Sequence, residues 1–218
     1  MTGGGDSPRA YESPRRREQA AQTRARILDS ARRLFELHGY TATSMRAIAS
    51  DAGVAPKTVY VAFETKATLL RALWHLALRG DEDSAPVGSR TWFSDVLDEP
   101  DPVRQLELNA RNSRVVKERV GALMDVLRTA AVADPDIAEL WDRIQREFYD
   151  NQRTVVRSLE RKKALKAGLG VARASDILWT LNHPDVYRLL VGDRTWTAAH
   201  YEEWLARSLV EQLLSRPE

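Results

Sequence analysis

The chain has no cysteine among its 218 residues. Disulfide bonds, thiolate metal ligands and a cysteine nucleophile are therefore excluded, and a cytoplasmic location fits this composition. All apolar runs are much shorter than the roughly 18 residues that a membrane-spanning helix needs. The N-terminal segment also lacks the apolar stretch of a secretory signal. We expect a protein that does not associate with membranes.

Sequence motifs of common catalytic sites are also missing. The chain contains no HExxH, no GxSxG and no P-loop, and Gly168 and Gly170 lack the preceding strand of a dinucleotide-binding loop. The histidines do not have the spacing of metal ligands; they are His38, His75, His183 and His200. The sequence therefore predicts neither an enzyme, nor a metal centre, nor a bound cofactor.

Positive charge is concentrated in the first part of the chain. Residues 1–80 contain 13 Lys and Arg against 7 Asp and Glu, whereas residues 81–218 contain 20 against 24. A basic segment can neutralise nucleic-acid phosphates and release their counterions, but it can also be an ordinary solvated surface. Residues 1–20 are rich in Gly, Ser, Pro and charge, which predicts a disordered basic tail. Its arginines 15–17 could enter a DNA minor groove or only increase solubility.

Residues 44–63, SMRAIASDAGVAPKTVYVAF, have the pattern of two short helices joined by a tight turn. Ser44 is a candidate N-cap of the first helix, and Gly53 can supply the positive φ of the turn. Pro56 suits the first position of the second helix. Val59 and Phe63, four residues apart, face inward and leave other side chains of that helix free. This pattern predicts a helix-turn-helix whose second helix reads the DNA major groove.

Helices are also predicted on both sides of this motif. Apolar residues from Ile27 to Phe35 recur at helical spacing, and Gly39 is the expected left-handed cap of that helix. After the motif, Thr65 is the candidate N-cap of a helix over residues 66–79. Lys66 in its first turn opposes the helix dipole. We interpret Lys66 as a phosphate contact rather than an ordinary exposed lysine.

The segment from Thr23 to Leu73 resembles the DNA-binding domain of the tetracycline-repressor (TetR) family. The resemblance depends on Leu34-Phe35, Gly39-Tyr40, Thr43-Ser44-Met45, Ile48-Ala49, Ala52-Gly53-Val54, Thr58-Val59-Tyr60, Phe63, Lys66 and Leu69-Leu70. It implies an all-α homodimer that represses transcription and leaves its DNA when a small molecule binds the C-terminal domain. The positions that it implies for DNA contact are Thr43, Ser44, Arg46, Lys57, Thr58, Tyr60, Val61 and Lys66.

Two positions depart from the usual pattern of the family. Ala55 stands where a Ser or Thr more often caps the reading helix, so we expect no side-chain contact with phosphate there. Val61 and Ala62 replace the more usual polar or aromatic residues. Val61 could then read a base only through apolar contact with a thymine methyl group.

The remainder of the chain also has helical spacing, with no β alternation. We divide the protein into a DNA-binding domain with its linking helix, 21–78, and a ligand-binding and dimerisation domain, 79–218. The resemblance implies dimerisation through the last two helices, about 173–191 and 197–214, with Thr197 as N-cap of the second. The candidate interface residues are Trp179, Tyr187, Trp204, Leu205 and Leu209, although these side chains could instead fill the core of one subunit.

Polar residues interrupt the apolar stripes of the second domain and mark a candidate pocket. Buried polar groups need partners, which here could be a ligand or a neighbouring helix. The candidate pocket residues are Trp92, Asn109, Trp141, Phe148 and Asn151. They suggest an apolar or aromatic ligand. A DNA-binding regulator that activates transcription, or that responds to a protein partner, is the alternative; a preformed apolar cavity would favour the small-molecule sensor.

Overall fold

The computed structural model describes residues 14–79 and 90–215, and both ranges are helical without a β-strand. This confirms the all-α prediction. No helix in these two ranges is long and apolar enough to cross a bilayer. The elements are α1 (Pro14–Ala42), α2 (Met45–Asp51), α3 (Pro56–Phe63), α4 (Lys66–Arg79), α5 (Thr91–Asp98), α6 (Pro102–Ala130), α7 (Pro135–Arg161), α8 (Val171–Leu181), α9 (Pro184–Tyr187), a π-helical segment (Arg188–Asp193) and α10 (Ala198–Leu213).

Helix α1 starts earlier than the sequence suggested. Residues 14–20, which we expected to be part of a disordered tail, are helical. This stretch is rich in Arg, Glu, Gln and Ala, which are strong helix formers, and the composition of residues 1–13 hid that signal. Residues 1–13 lie outside the described part of the chain. Gly39 has a φ of 78° and a ψ of 168°. The expected positive φ is present, but the extended ψ differs from that of the left-handed cap that we predicted.

Three predicted caps are present at the starts of their helices. The Ser44 hydroxyl accepts a hydrogen bond from the Ala47 amide, 3.1 Å away. Thr65 accepts one from Thr68 and Thr197 one from His200, each also at 3.1 Å. These bonds satisfy amide groups that have no partner within their own helix. They fix the beginnings of α2, α4 and α10.

The larger of two buried clusters crosses the boundary that we expected at residue 78. It combines apolar side chains of α1–α4 with the second half of α6 and the first half of α7. Val120, Leu127 and Ile137 of the later helices pack in the same cluster as Phe35 and Leu70. The helix-turn-helix unit and the rest of the protein therefore share one core.

Tyr40 joins these two parts by a directed polar contact. Its hydroxyl donates a hydrogen bond of 2.6 Å to Asp134, and the same carboxyl group caps α7 by accepting from the Asp136 amide. Burial, together with this bond, raises the pKa of Tyr40, so the hydroxyl keeps its proton. The start of α7 is thus fixed to the end of α1.

The second cluster lies between α5, the first half of α6, the second half of α7, α8 and α10. The helix over 173–191 is divided at His183-Pro184, as this dipeptide predicts: α8 ends at Leu181 and α9 begins at Pro184. His183 between them is extended, with a ψ of 140°, because a residue before proline avoids the helical region. Leu205 and Leu209 are fully buried in this cluster. They fill the core of one subunit, so their prediction as dimer contacts was wrong.

Two glycine substitutions should change stability in opposite directions. A Cβ at Gly53 or at Gly121 would meet no atom within 4 Å. The two sites therefore differ only in their backbone conformation. Gly53 has a φ of 64°, and Gly53→Ala should lower the free energy of unfolding by about 1 kcal/mol because of left-handed strain. Gly121 lies inside α6, and Gly121→Ala should raise it by about 0.5–1 kcal/mol. Urea unfolding measures both, and equal signs would contradict the assignment.

Candidate DNA interface and ligand cavity

Helix α3 presents one face to the core and another to solvent. Val59 and Phe63 are buried, whereas Lys57, Tyr60 and Val61 are exposed, Val61 to 75%. A fully exposed valine contributes little to folding. The outer face of α3 is therefore available for contact with another molecule.

Arginine side chains hold this helix pair against α1. Arg24 donates a hydrogen bond of 2.9 Å to the Ala62 carbonyl, and its guanidinium lies 4.1 Å from the centre of the Phe63 ring. Arg33 forms an ion pair of 2.5 Å with Asp51 at the end of α2. These contacts fix the orientation of α2 and α3. The sequence pattern did not indicate them, because the partners are 18 or more positions apart.

The structure exposes most of the residues that we predicted to contact DNA. Ser44, Arg46, Lys57, Tyr60 and Val61 are exposed, and Thr58 is half-buried. They belong to the adjacent helices α2 and α3 or to the cap between α1 and α2. As expected, Ala55 makes no side-chain capping bond.

Thr43 does not fit the prediction of a phosphate contact. Only 3% of it is exposed, and its hydroxyl lies within hydrogen-bonding distance of the carbonyls of Gly39 and Leu34, at 2.8 and 3.1 Å. This hydroxyl satisfies carbonyl groups left free where Gly39 interrupts α1. Its role is to stabilise the turn, and the neighbouring Ser44 is the exposed residue.

Lys66 also has a different environment from the exposed phosphate contact that we expected. Its ammonium donates hydrogen bonds to the carbonyls of Tyr40 and Thr43, at 2.9 and 3.1 Å, and lies 4.1 Å from the centre of the Tyr40 ring. Burial lowers its pKa. Because two of its three N–H groups bind backbone carbonyls, Lys66 holds the α1–α2 connection in place.

A cavity of about 530 Å³ lies among α4, α5, α6 and α7, with Pro184 at the start of α9 on its wall. Trp92, Asn109, Phe148 and Asn151, four of the five predicted pocket residues, line it. Trp141 does not; it lines a separate cavity of about 320 Å³ between α6, α7 and α9. Trp141 follows the same stripe on α7, but it lies nearer the shared core.

The sequence did not predict the polar network beside this cavity. The Lys117 ammonium donates to the Asn182 carbonyl oxygen and, over 2.8 Å, to the Tyr201 hydroxyl. The Asn182 amide donates to Ser113 and Gln152, at 2.9 and 3.0 Å. The network connects α6 and α7 to the break between α8 and α9. Lys117 occurs in a charged stretch of α6, so neither composition nor spacing distinguished it.

An aromatic cluster lies close to this break. The His183 ring contacts Phe148 and Trp179, with ring centres 6.2 and 4.8 Å apart. Burial lowers the pKa of His183, only partly opposed by Asp185. Phe148 lines the cavity. Trp179 of α8 is therefore connected to the cavity wall through the His183 ring.

The three aromatic residues that we predicted at a dimer interface are half-buried in one subunit. Trp179 packs on His183, Tyr187 contacts Tyr201, and Trp204 lies 6.1 Å from Trp196 between ring centres. The exposed parts of these three side chains lie on α8, α9 and α10.

Within residues 14–79 and 90–215, no group of three or more His, Asp or Glu side chains could hold a metal ion.

Comparison with known proteins points to one family. The family model for bacterial regulatory proteins of the tetR family matches residues 27–73. The helix-turn-helix regulator TtgR of Pseudomonas putida is 27% identical over 202 residues, which cover 89% of this chain and 93% of TtgR. The chain is therefore similar to TetR-family regulators. Residues 27–73 match the family model, and the similarity to helix-turn-helix transcriptional regulators extends over nearly the whole chain.

Solved structures of TetR-family proteins share the fold. NalD of Pseudomonas aeruginosa, the secondary repressor of the MexAB-OprM multidrug efflux pump, superposes with a TM-score of 0.67 at 24% identity. The match covers 89% of this chain and 98% of NalD. SmeT in complex with triclosan gives a TM-score of 0.69 at 17% identity, covering 89% of this chain and 92% of SmeT.

The TetR resemblance implies a base contact for Lys57 and a phosphate contact for Tyr60, and two substitutions on α3 should separate these roles. Lys57→Ala should remove about 1–3 kcal/mol of preference at one base pair, because a base contact is lost. Tyr60→Phe should weaken binding to every sequence similarly, because a phosphate contact carries no sequence information. Fluorescence anisotropy on a selected duplex and on its single-base variants measures both. Uniform losses with Lys57→Ala would exclude it from base recognition.

Lys66→Met should act mainly on stability. The substitution leaves two carbonyls without their partner, so the free energy of unfolding should fall by about 1–3 kcal/mol. The salt dependence of DNA binding should remain unchanged, whereas loss of a phosphate contact would reduce its slope by about one. Urea unfolding and anisotropy at several salt concentrations distinguish the two roles. A reduced slope with unchanged stability would restore the phosphate contact.

Proposed function

We propose that this protein is a dimeric TetR-family repressor that leaves a palindromic operator when a small apolar or aromatic molecule enters the 530 Å³ cavity. One observation carries the proposal. Trp74, His75 and Leu78 of α4 line the cavity, and α4 is the helix that directly follows the DNA-reading helix. A ligand in the cavity would contact the element whose position determines that of α3.

The cavity wall suits an organic molecule with few polar groups. Trp74, Phe93, Met124, Ile144 and Phe148 contribute large apolar side chains. A volume of 300–1,000 Å³ is the usual range for small-molecule sites. The triclosan bound by SmeT and the efflux-pump repression of NalD support a response to such compounds.

We assign residues 21–78 to DNA binding and 79–218 to ligand binding and dimerisation, although the two parts share a core. The dimer would form through α8, α9 and α10, with Trp179, Tyr187 and Trp204 contributing their half-buried surfaces. Two reading helices related by a two-fold axis would then enter successive major grooves, about 34–36 Å apart. Ser44, Arg46, Lys57, Thr58, Tyr60 and Val61 are the proposed DNA contacts, with Lys66 positioning them.

Release would follow from differential affinity. A ligand that binds better to a dimer with the wrong spacing of its reading helices shifts the population away from the DNA-bound form. By linkage, operator DNA weakens ligand binding by the same factor. The shared core requires α4 to move together with the helices that surround the cavity.

Selection of duplexes from a random pool, followed by anisotropy with and without triclosan, tests this function. A tight palindromic site bound by a dimer, and weakened by triclosan or a related aromatic compound, is the expected result. Sequence-independent binding would contradict operator recognition. Tight binding that no compound in an apolar and aromatic panel changes would contradict the ligand response.

Filling the cavity should remove the response without affecting DNA binding. Asn151 lines the cavity, so Asn151→Trp should place an indole where the ligand lies. We expect unchanged affinity for the operator and at least a tenfold higher concentration of compound for release. Arg153→Trp, on the exposed side of the same helix, is the matched control. Equal responses of the two variants would contradict the location of the site.

A further inference from the structure

Lys117 is a buried lysine with uncharged partners. Only 5% of it is exposed. Its ammonium donates to the oxygens of Asn182 and Tyr201 and lies 5.0 Å from the centre of the Tyr201 ring. Within the described ranges, no carboxylate forms an ion pair with it. A buried ammonium without a counter-charge is costly, and burial lowers its pKa strongly.

The cavity gives this lysine access to a ligand. Lys117 lines the cavity, and so do its network neighbours Ser113 and Gln152. An ammonium has three N–H groups, and two of them have acceptors in the described network. One N–H is therefore left for an acceptor in the cavity.

Asn109 supplies a second, independent observation. It lies on α6 eight positions before Lys117, lines the same cavity and is 5% exposed. Its amide nitrogen is buried and has no hydrogen-bond partner in the described structure. Buried donors without partners are rare, so this one also indicates an acceptor on a ligand. Two buried donors thus belong to residues that line a cavity with a mainly apolar wall.

The other charged residues that line the cavity differ in how deeply they are buried. Glu147 and Asp150 are exposed, whereas Arg90 is buried and His75 is exposed. Among the described residues of the wall, the carboxylates are therefore confined to the exposed rim, whereas the buried Lys117 is basic. This arrangement favours a negative group at the buried end of the cavity.

We propose that the cavity binds an organic anion, an apolar molecule with one acidic group, and that Lys117 is the counter-ion of that group. The assignment rests on the proposed ligand-sensing function and specifies its ligand class. The acidic group accepts a charge-assisted hydrogen bond from Lys117. The Asn109 amide donates to a second acceptor about 12 Å further along α6, by the helical rise over eight residues, and the apolar body lies between them.

A matched pair of fluorescent probes tests the charge directly. Anilinonaphthalenesulfonate carries a permanent negative charge, and N-phenylnaphthylamine has the same ring system without it. Lys117→Met keeps the length of the side chain and removes its charge. We expect the affinity for the sulfonate to fall about tenfold or more, and the affinity for the neutral probe to remain within about twofold.

Lys163→Met is the matched control. It lowers the net charge by one, as Lys117→Met does, but removes the charge from an exposed side chain. It should leave both affinities unchanged. Loss of both probes with Lys117→Met, or no change for either, would overturn the assignment while leaving the cavity as a site for neutral compounds. Binding of the neutral probe but not of the sulfonate to the unsubstituted protein would overturn the anion site and leave the proposed sensing function standing.

A measurement on the unsubstituted protein keeps the test independent of the folding of the variant. Burial, and to a lesser extent the charge of Lys117, lowers the pKa of the nearby His183, so its ring stays neutral as the pH rises from neutrality. The neighbouring Tyr201 and Tyr187 have pKa values raised by burial. The affinity for the sulfonate should fall as pH rises and Lys117 loses its proton, relative to the affinity for the neutral probe. Parallel pH profiles would overturn the assignment.

Discussion

Continuity of the larger buried cluster is the constraint on which the rest of the structure depends. Apolar side chains of the helix-turn-helix pack directly against the end of α6 and the start of α7, so the helices that carry the DNA-binding surface and those around the cavity share one dry core. Close-packed interiors respond to strain by changing between discrete arrangements. A displacement of α6 or α7 at the cavity must therefore be accommodated by the helices that carry the DNA-binding surface.

Directional bonds determine how that apolar contact is oriented. Hydrophobic packing alone would tolerate small rotations of α4 and α7. The Tyr40 bond to Asp134, and the Lys66 bonds to the carbonyls of Tyr40 and Thr43, define one geometry at the junction. Thr43 and Lys66 are thus supporting residues of the DNA-binding surface. Their role is to determine where Ser44 and α3 lie.

Local patterns predicted what depends on local physics. The caps at Ser44, Thr65 and Thr197, the positive φ of Gly53 and Gly39, and the break before Pro184 all follow from neighbouring residues. Contacts between residues that are far apart in the chain could not be predicted from the sequence pattern. The spacing that marked Leu205 and Leu209 as one face of α10 could not tell which neighbour covers that face. The same limit hid the burial of Lys117, which depends on Asn182 and Tyr201, 65 and 84 positions away.

The two recognition surfaces differ in how freely evolution can change them. Lys57 and Val61 extend into solvent, and replacing them disturbs no internal packing, so new operator sequences are accessible by single mutations of low structural cost. Phe93, Met124 and Ile144 line the cavity and also belong to the buried clusters. A mutation that reshapes the cavity for another compound also alters the packing that holds the protein together. Under the proposed function, descendants of this protein should therefore change their operator sequence more readily than their ligand.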